Sequence, residues 1–101
     1  MVFIEISGGE ILLQLQIVVS GRVQGVGYRY FTQMKATQLQ ITGWTKNRSD
    51  GKVEIIATGS KENLDLFIEE IRKGNPFSTV DQIEINQLDN IEKYQSFMIK
   101  Y

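Results

Sequence analysis

Leu13-Gln14-Leu15-Gln16-Ile17-Val18-Val19-Ser20, followed directly by Gly21-Arg22-Val23-Gln24-Gly25-Val26-Gly27-Tyr28-Arg29, changes its period along the way. In the first half Leu13, Leu15, Ile17 and Val19 alternate with Gln14, Gln16 and Val18, the period of a strand with one buried face, ending at Ser20-Gly21. Beyond the glycines, Tyr28 to about Leu39 has few β-branched residues and no Gly or Pro, which predicts a helix. Its apolar stripe is imperfect: Tyr28, Phe31, Ala36 and Leu39 share a face, but Lys35 sits among them.

The same reading extends outward. Ile41–Lys46 and Lys52–Thr58 are β-rich runs around a turn containing Asp50-Gly51, which predicts a hairpin. Ser60 is a natural N-cap, and Leu64, Phe67, Ile68 and Ile71 mark a second helix closed by Lys73-Gly74. Val80–Leu88 reads as a strand and Phe97–Tyr101 as a short last strand at a sheet edge. The order β-α-β-β-α-β plus a short C-terminal strand predicts an α+β, ferredoxin-like split βαβ sandwich, with two helices on one face of an antiparallel sheet. The domain is expected to span residues 13–101, preceded by an N-terminal tail, residues 1–12, that is disordered, pairs along a sheet edge or promotes self-association.

Composition narrows the chemistry. A chain of 101 residues, 42% hydrophobic, accommodates one core. The formal charge of −1 offers no general attraction to nucleic acid or to an anionic membrane, and neither is expected as a partner. The absence of cysteine fits a cytoplasmic location and excludes thiol catalysis. The absence of histidine removes the commonest neutral-pH base and the commonest zinc ligand, so no metal and no cofactor are expected. Met1–Leu13 lacks a basic start and is interrupted by Glu5 and Glu10, unlike a secretion signal. Basic residues Arg22, Arg29, Lys35, Lys46, Arg48 and Lys52 gather in the first half, with Asp50 the one acid among them, which predicts a positive pocket for a small anion there.

The loop between strand and helix suits that anion. Gln24, Gly25, Val26, Gly27, Tyr28 and Arg29 can turn successive N–H groups into a concave nest at a helix N-terminus. The spacing is neither the dinucleotide fingerprint nor a P-loop, so phosphate rather than nucleotide is the expected ligand. Arg29 adds a guanidinium able to grip two phosphate oxygens.

The string Gly21–Arg29 resembles the first signature of the acylphosphatase family, and Thr42-Gly43-Trp44-Thr45-Lys46-Asn47-Arg48-Ser49-Asp50-Gly51-Lys52-Val53-Glu54 is similar to the second. The likeness runs from about Leu13 to Tyr101. It implies hydrolysis of acyl phosphates to carboxylate and inorganic phosphate, by a monomer, with Arg29 and loop amides binding phosphate and Asn47 orienting the attacking water. Inorganic phosphate is then product and inhibitor. Without the resemblance, Asn47 is simply a residue beside an Asp-Gly turn.

Three positions depart from the family pattern: Tyr28 where Phe is usual, Thr45 where Val is typical, and Gln40 where Gly commonly ends the first helix. The last predicts a non-glycine residue at positive φ. The alternative function is a non-catalytic ferredoxin-like binding module. Against an RNA-recognition motif stands the segment Lys52–Gly59, which lacks the aromatics needed to stack bases.

Overall fold

The computed structural model describes residues 4–6 and 10–101. The elements are β1 (Ile4–Ile6), β2 (Glu10–Arg22), α1 (Tyr28–Gln38), β3 (Thr42–Asn47), β4 (Val53–Gly59), α2 (Lys61–Lys73), β5 (Thr79–Gln87) and β6 (Phe97–Lys100). β2 lies between β4 and β5 and pairs antiparallel with both, β4 pairs antiparallel with β3, and β6 adds to β3 in parallel. The sheet is therefore mixed, where the sequence predicted an antiparallel one, because the chain after β5 returns to the β3 edge and runs alongside it. β2 also begins earlier and ends later than its alternation predicts. Its first residues pair with β1, Ile4 opposite Leu12, so part of the expected tail continues the sheet. The rest of that tail, residues 1–3 and 7–9, lies outside the described residues.

The core forms where the inward rows of the strands meet the helices. Leu15, Ile17 and Val19 of β2 and Val53, Ile55 and Ala57 of β4 pack against Tyr28 and Ala36 of α1 and Leu64, Phe67 and Ile71 of α2. Phe67 meets Phe97 of β6 edge-on at 6.2 Å, which secures the last strand to the second helix. The weak stripe of α1 is completed by a polar residue: Thr32 is fully buried, its hydroxyl donating to the Tyr28 carbonyl at 2.8 Å. Lys35 lies along this edge, its ammonium 3.7 Å from Glu70 and 5.7 Å from the centre of the Phe31 ring, so its stem covers apolar surface while its charge stays near water.

The end of α1 shows what the sequence departure at Gln40 costs. Gln40 has φ 57°, the one positive-φ non-glycine among the described residues. The Ile41 N–H donates to Ala36 O at 2.8 Å and the Gln40 N–H to Thr37 O at 3.3 Å, a Schellman closure in which buried Ile41 and Ala36 supply the accompanying apolar contact. The hydrogen bonds fix the left-handed turn, and the Cβ of Gln40 is strained by it. Gln40→Gly relieves that strain against a larger loss of unfolded-state entropy, a net gain of about 0.5–1 kcal/mol. Denaturation curves should show a higher midpoint for the variant with turnover near wild type; a lower midpoint would contradict the strain at Gln40.

Candidate active site

A cavity of about 180 Å³ opens at the end of the sheet where β2 gives way to α1, lined by Val23, Gly25, Gly27, Tyr28, Arg29, Tyr30, Asn47, Ile99 and Tyr101. β4 separates β2 from β3, yet the loop after β2 and the last residue of β3 face one cavity.

One wall of the cavity is the loop between β2 and α1. Gly25 and Gly27 adopt φ 74° and 77°, left-handed values that curl the loop where it lines the cavity. Gly27 is also the N-cap of α1 and has no side chain to occupy the helix donors, and the first turn contains no acid. The first helical hydrogen bond runs from Phe31 N–H to Gly27 O at 3.1 Å, so the N–H groups of Tyr28, Arg29 and Tyr30 have no helix carbonyl to bond. The other helix is finished differently: Ser60 Oγ accepts from the Asn63 N–H at 3.2 Å, and Glu62 lies in the first turn of α2. One N-terminus is capped by the chain and the other left open.

Arg29 increases the contrast. A cation in the first turn of a helix adds to positive charge already there, an arrangement that destabilises the fold unless an anion joins it. Its Nη1 donates to the Lys100 carbonyl at 3.0 Å and its guanidinium lies 4.8 Å from the centre of the Tyr101 ring, so the end of β6 holds the side chain while its other N–H donors remain for a ligand. Asn47 closes the opposite wall. Its Oδ1 is buried and has no hydrogen-bond partner among the described residues, which marks a carboxamide the fold does not use.

Four hydrogen bonds hold the loop. Gln24 Nε2 donates to Arg48 O at 2.8 Å and to Lys52 O at 2.9 Å, tying the loop to the turn that follows Asn47. Asn75 Nδ2 donates to Val26 O at 2.8 Å from the segment after α2. The Tyr28 hydroxyl donates to Ile71 O at 2.6 Å, satisfying a carbonyl in the last turn of α2. Burial raises the Tyr28 phenol above its ordinary value, so it remains a donor at any physiological pH. The hydroxyl that sets Tyr28 apart from the usual Phe thus fastens the cradle to the second helix.

Of the basic residues expected to make a positive pocket, Arg29 alone lines the cavity. Lys35 turns to Glu70 and Arg48 to Asp50 at 3.0 Å. Lys46 points to the other sheet face and lies, with Lys100, over the Trp44 ring. Strand alternation separates Lys46 from Asn47 although they are neighbours in sequence. The aromatic and apolar residues Tyr30, Ile99 and Tyr101 were not read as site residues, and the pairing of β6 with β3 that delivers two of them leaves no motif.

The fold and cavity define a ferredoxin-like α+β domain in which the first helix, without a side-chain cap, starts at the wall of a cavity. The Acylphosphatase family model matches residues 15–99. A curated acylphosphatase of Bacillus velezensis is 48% identical over 90 residues, covering 89% of this chain and 100% of the relative. The crystal structure of acylphosphatase from Bacillus subtilis superposes with TM-score 0.85 at 47% identity, covering 88% of this chain and 99% of that one. A crystal structure of full-length HypF in a phosphate- and nucleotide-bound form matches at TM-score 0.81 and 32% identity, covering 89% of this chain but 12% of that one. The chain belongs to the acylphosphatase family.

Removing the Gln24 carboxamide tests the scaffold. Gln24→Ala should lower the thermal midpoint by the equivalent of about 1–3 kcal/mol, the net worth of two hydrogen bonds, and should lower kcat as the turn beside Asn47 loosens. An unchanged midpoint and unchanged kcat would show that the clamp does not hold the two walls together.

Proposed function

We propose that the chain hydrolyses the carboxyl-phosphate bond of acyl phosphates, with Arg29 and the N–H groups of the Gln24–Arg29 loop binding the phosphoryl group and Asn47 holding the attacking water. The observation that carries this reading is the pairing, on one cavity, of an open helix N-terminus bearing Arg29 with a carboxamide that the fold leaves unbonded. Curated relatives matched along nearly their whole length are named as enzymes, so the non-catalytic binding module is not favoured.

The chemistry requires little more than these groups. The water oxygen forms a bond to phosphorus while the bond from phosphorus to the carboxyl oxygen breaks, and the electron pair leaves on the carboxylate. A carboxylic acid has a pKa of about 4, so its anion departs without a general acid. Charge in the loose transition state spreads over the equatorial oxygens, where the guanidinium and the loop N–H groups stabilise it without rearranging. Asn47 is no base: it orients the water, and the proton passes to a phosphoryl oxygen. No metal or organic cofactor is needed for any of these steps. In this reading the catalytic unit is residues 13–101, acting as a cytoplasmic monomer. Among the described residues no helix is long and apolar enough to cross a membrane.

Benzoyl phosphate hydrolysis in the presence of EDTA checks the activity and the division of roles. Wild type should turn over well above the spontaneous rate, and Arg29→Ala and Asn47→Ala should each lose at least about a hundredfold in kcat/KM, the scale of a lost transition-state donor. Arg29→Ala should also weaken inhibition by inorganic phosphate, whereas Asn47→Ala should largely keep it. Equal weakening in both variants would contradict separate roles for the two residues.

A further inference from the structure

The cavity is small and open: its volume of about 180 Å³ lies below the roughly 300–1,000 Å³ of pockets that bury drug-sized ligands. With the phosphoryl group seated among the loop N–H groups and Arg29, the acyl group extends from there toward the rim. The rim on the α1 side is Tyr30. This residue directly follows Arg29, lines the cavity, and is 67% exposed. Its ring makes no aromatic or cation-π contact and its hydroxyl no hydrogen bond among the described residues, unlike Tyr28, which is buried and bonded, and Tyr101, whose ring is occupied by the Arg29 guanidinium.

We infer that Tyr30 is a specificity-determining residue, a free aromatic face against which the acyl group lies, so that flat apolar acyl groups such as aryl carboxylates are favoured over short aliphatic ones. The inference rests on the acyl phosphate reading of the site and deepens it. Half-buried Ile99, across the cavity, adds apolar surface on the side of β6. The rim carries no charge complementary to an acyl group, since Arg29 is the one cation lining the cavity and no acid lines it. Selection by such a wall acts through contact area and ring stacking, and it therefore appears in KM before kcat.

The test is the ratio of kcat/KM for benzoyl phosphate to that for acetyl phosphate, measured for wild type, Tyr30→Ala and Tyr30→Phe, with the inhibition constant of inorganic phosphate as a check on the cradle. Tyr30→Ala should reduce the ratio about tenfold, mainly by raising KM for benzoyl phosphate. Tyr30→Phe should retain the wild-type ratio, because the ring and not the hydroxyl makes the contact. Phosphate inhibition should be the same in all three. An unchanged ratio in active Tyr30→Ala, or a ratio lost in Tyr30→Phe as well, overturns the role of the ring. If wild type hydrolyses neither substrate above the spontaneous rate, the activity reading fails instead, and the two failures are distinguishable.

Discussion

The side-chain amide of Gln24 is the contact on which the geometry of the site depends. Arg29 and Asn47 belong to different elements, the helix entered from β2 and the last residue of β3, and β4 lies between the two strands. Gln24 reaches from the loop to the carbonyls of Arg48 and Lys52 and so fixes one wall of the cavity relative to the other. Each of those carbonyls also accepts a turn hydrogen bond, from Gly51 N–H at 3.2 Å and from Arg48 N–H at 2.8 Å. The clamp therefore grips a turn that is already closed, with Asp50 accepting from the Lys52 N–H to finish it. Loop, turn and strand end form one unit.

The cost of that unit is visible at α1. Its N-terminus has no cap side chain and no acid, and it carries a cation in the first turn, whereas α2 has a Ser cap, a Glu in the first turn and Arg72 and Lys73 in the last. Measured by helix rules alone α2 is well built and α1 is not. The same omissions leave N–H donors and positive charge free to meet an anion. Stability returns from elsewhere, through Tyr28 bonding to the end of α2, Thr32 bonding within the helix and the Schellman closure at Gln40. Local rules fail together at one helix end, as expected where function competes with folding.

Much of this was legible in the sequence, for identifiable reasons. Alternation in Leu13–Val19 and helical spacing in Leu64–Ile71 reflect one-sided burial, and both elements appear as read. Ile11-Leu12-Leu13 is an unbroken apolar run with no period, so the early start of β2 left no trace, and pairing of Ile4–Ile6 with it was only one of the readings the tail allowed. The parallel alignment of β6 with β3 was invisible because a four-residue strand carries almost no register information. That same gap hid Ile99 and Tyr101 from the site. Arg29 and Asn47 were picked out by motif resemblance, not by geometry, and Gln24, grouped with the cradle from its position in the loop, turns its side chain away to the hairpin. Thr45, noted in place of a typical Val, is fully buried with a hydroxyl that has no partner among the described residues; nothing in the structure explains it.

In the proposed reaction the loop and Arg29 present phosphorus, not the acyl carbon, to the water beside Asn47. Hydrolysis of benzoyl phosphate in water enriched in oxygen-18 tests it most directly, by mass analysis of both products after a single turnover. The account predicts the label in inorganic phosphate and none in benzoate beyond that of the uncatalysed control. Label in benzoate would mean that water attacks the carbonyl carbon, and the roles given to Arg29, the loop N–H groups and Asn47 would be contradicted together.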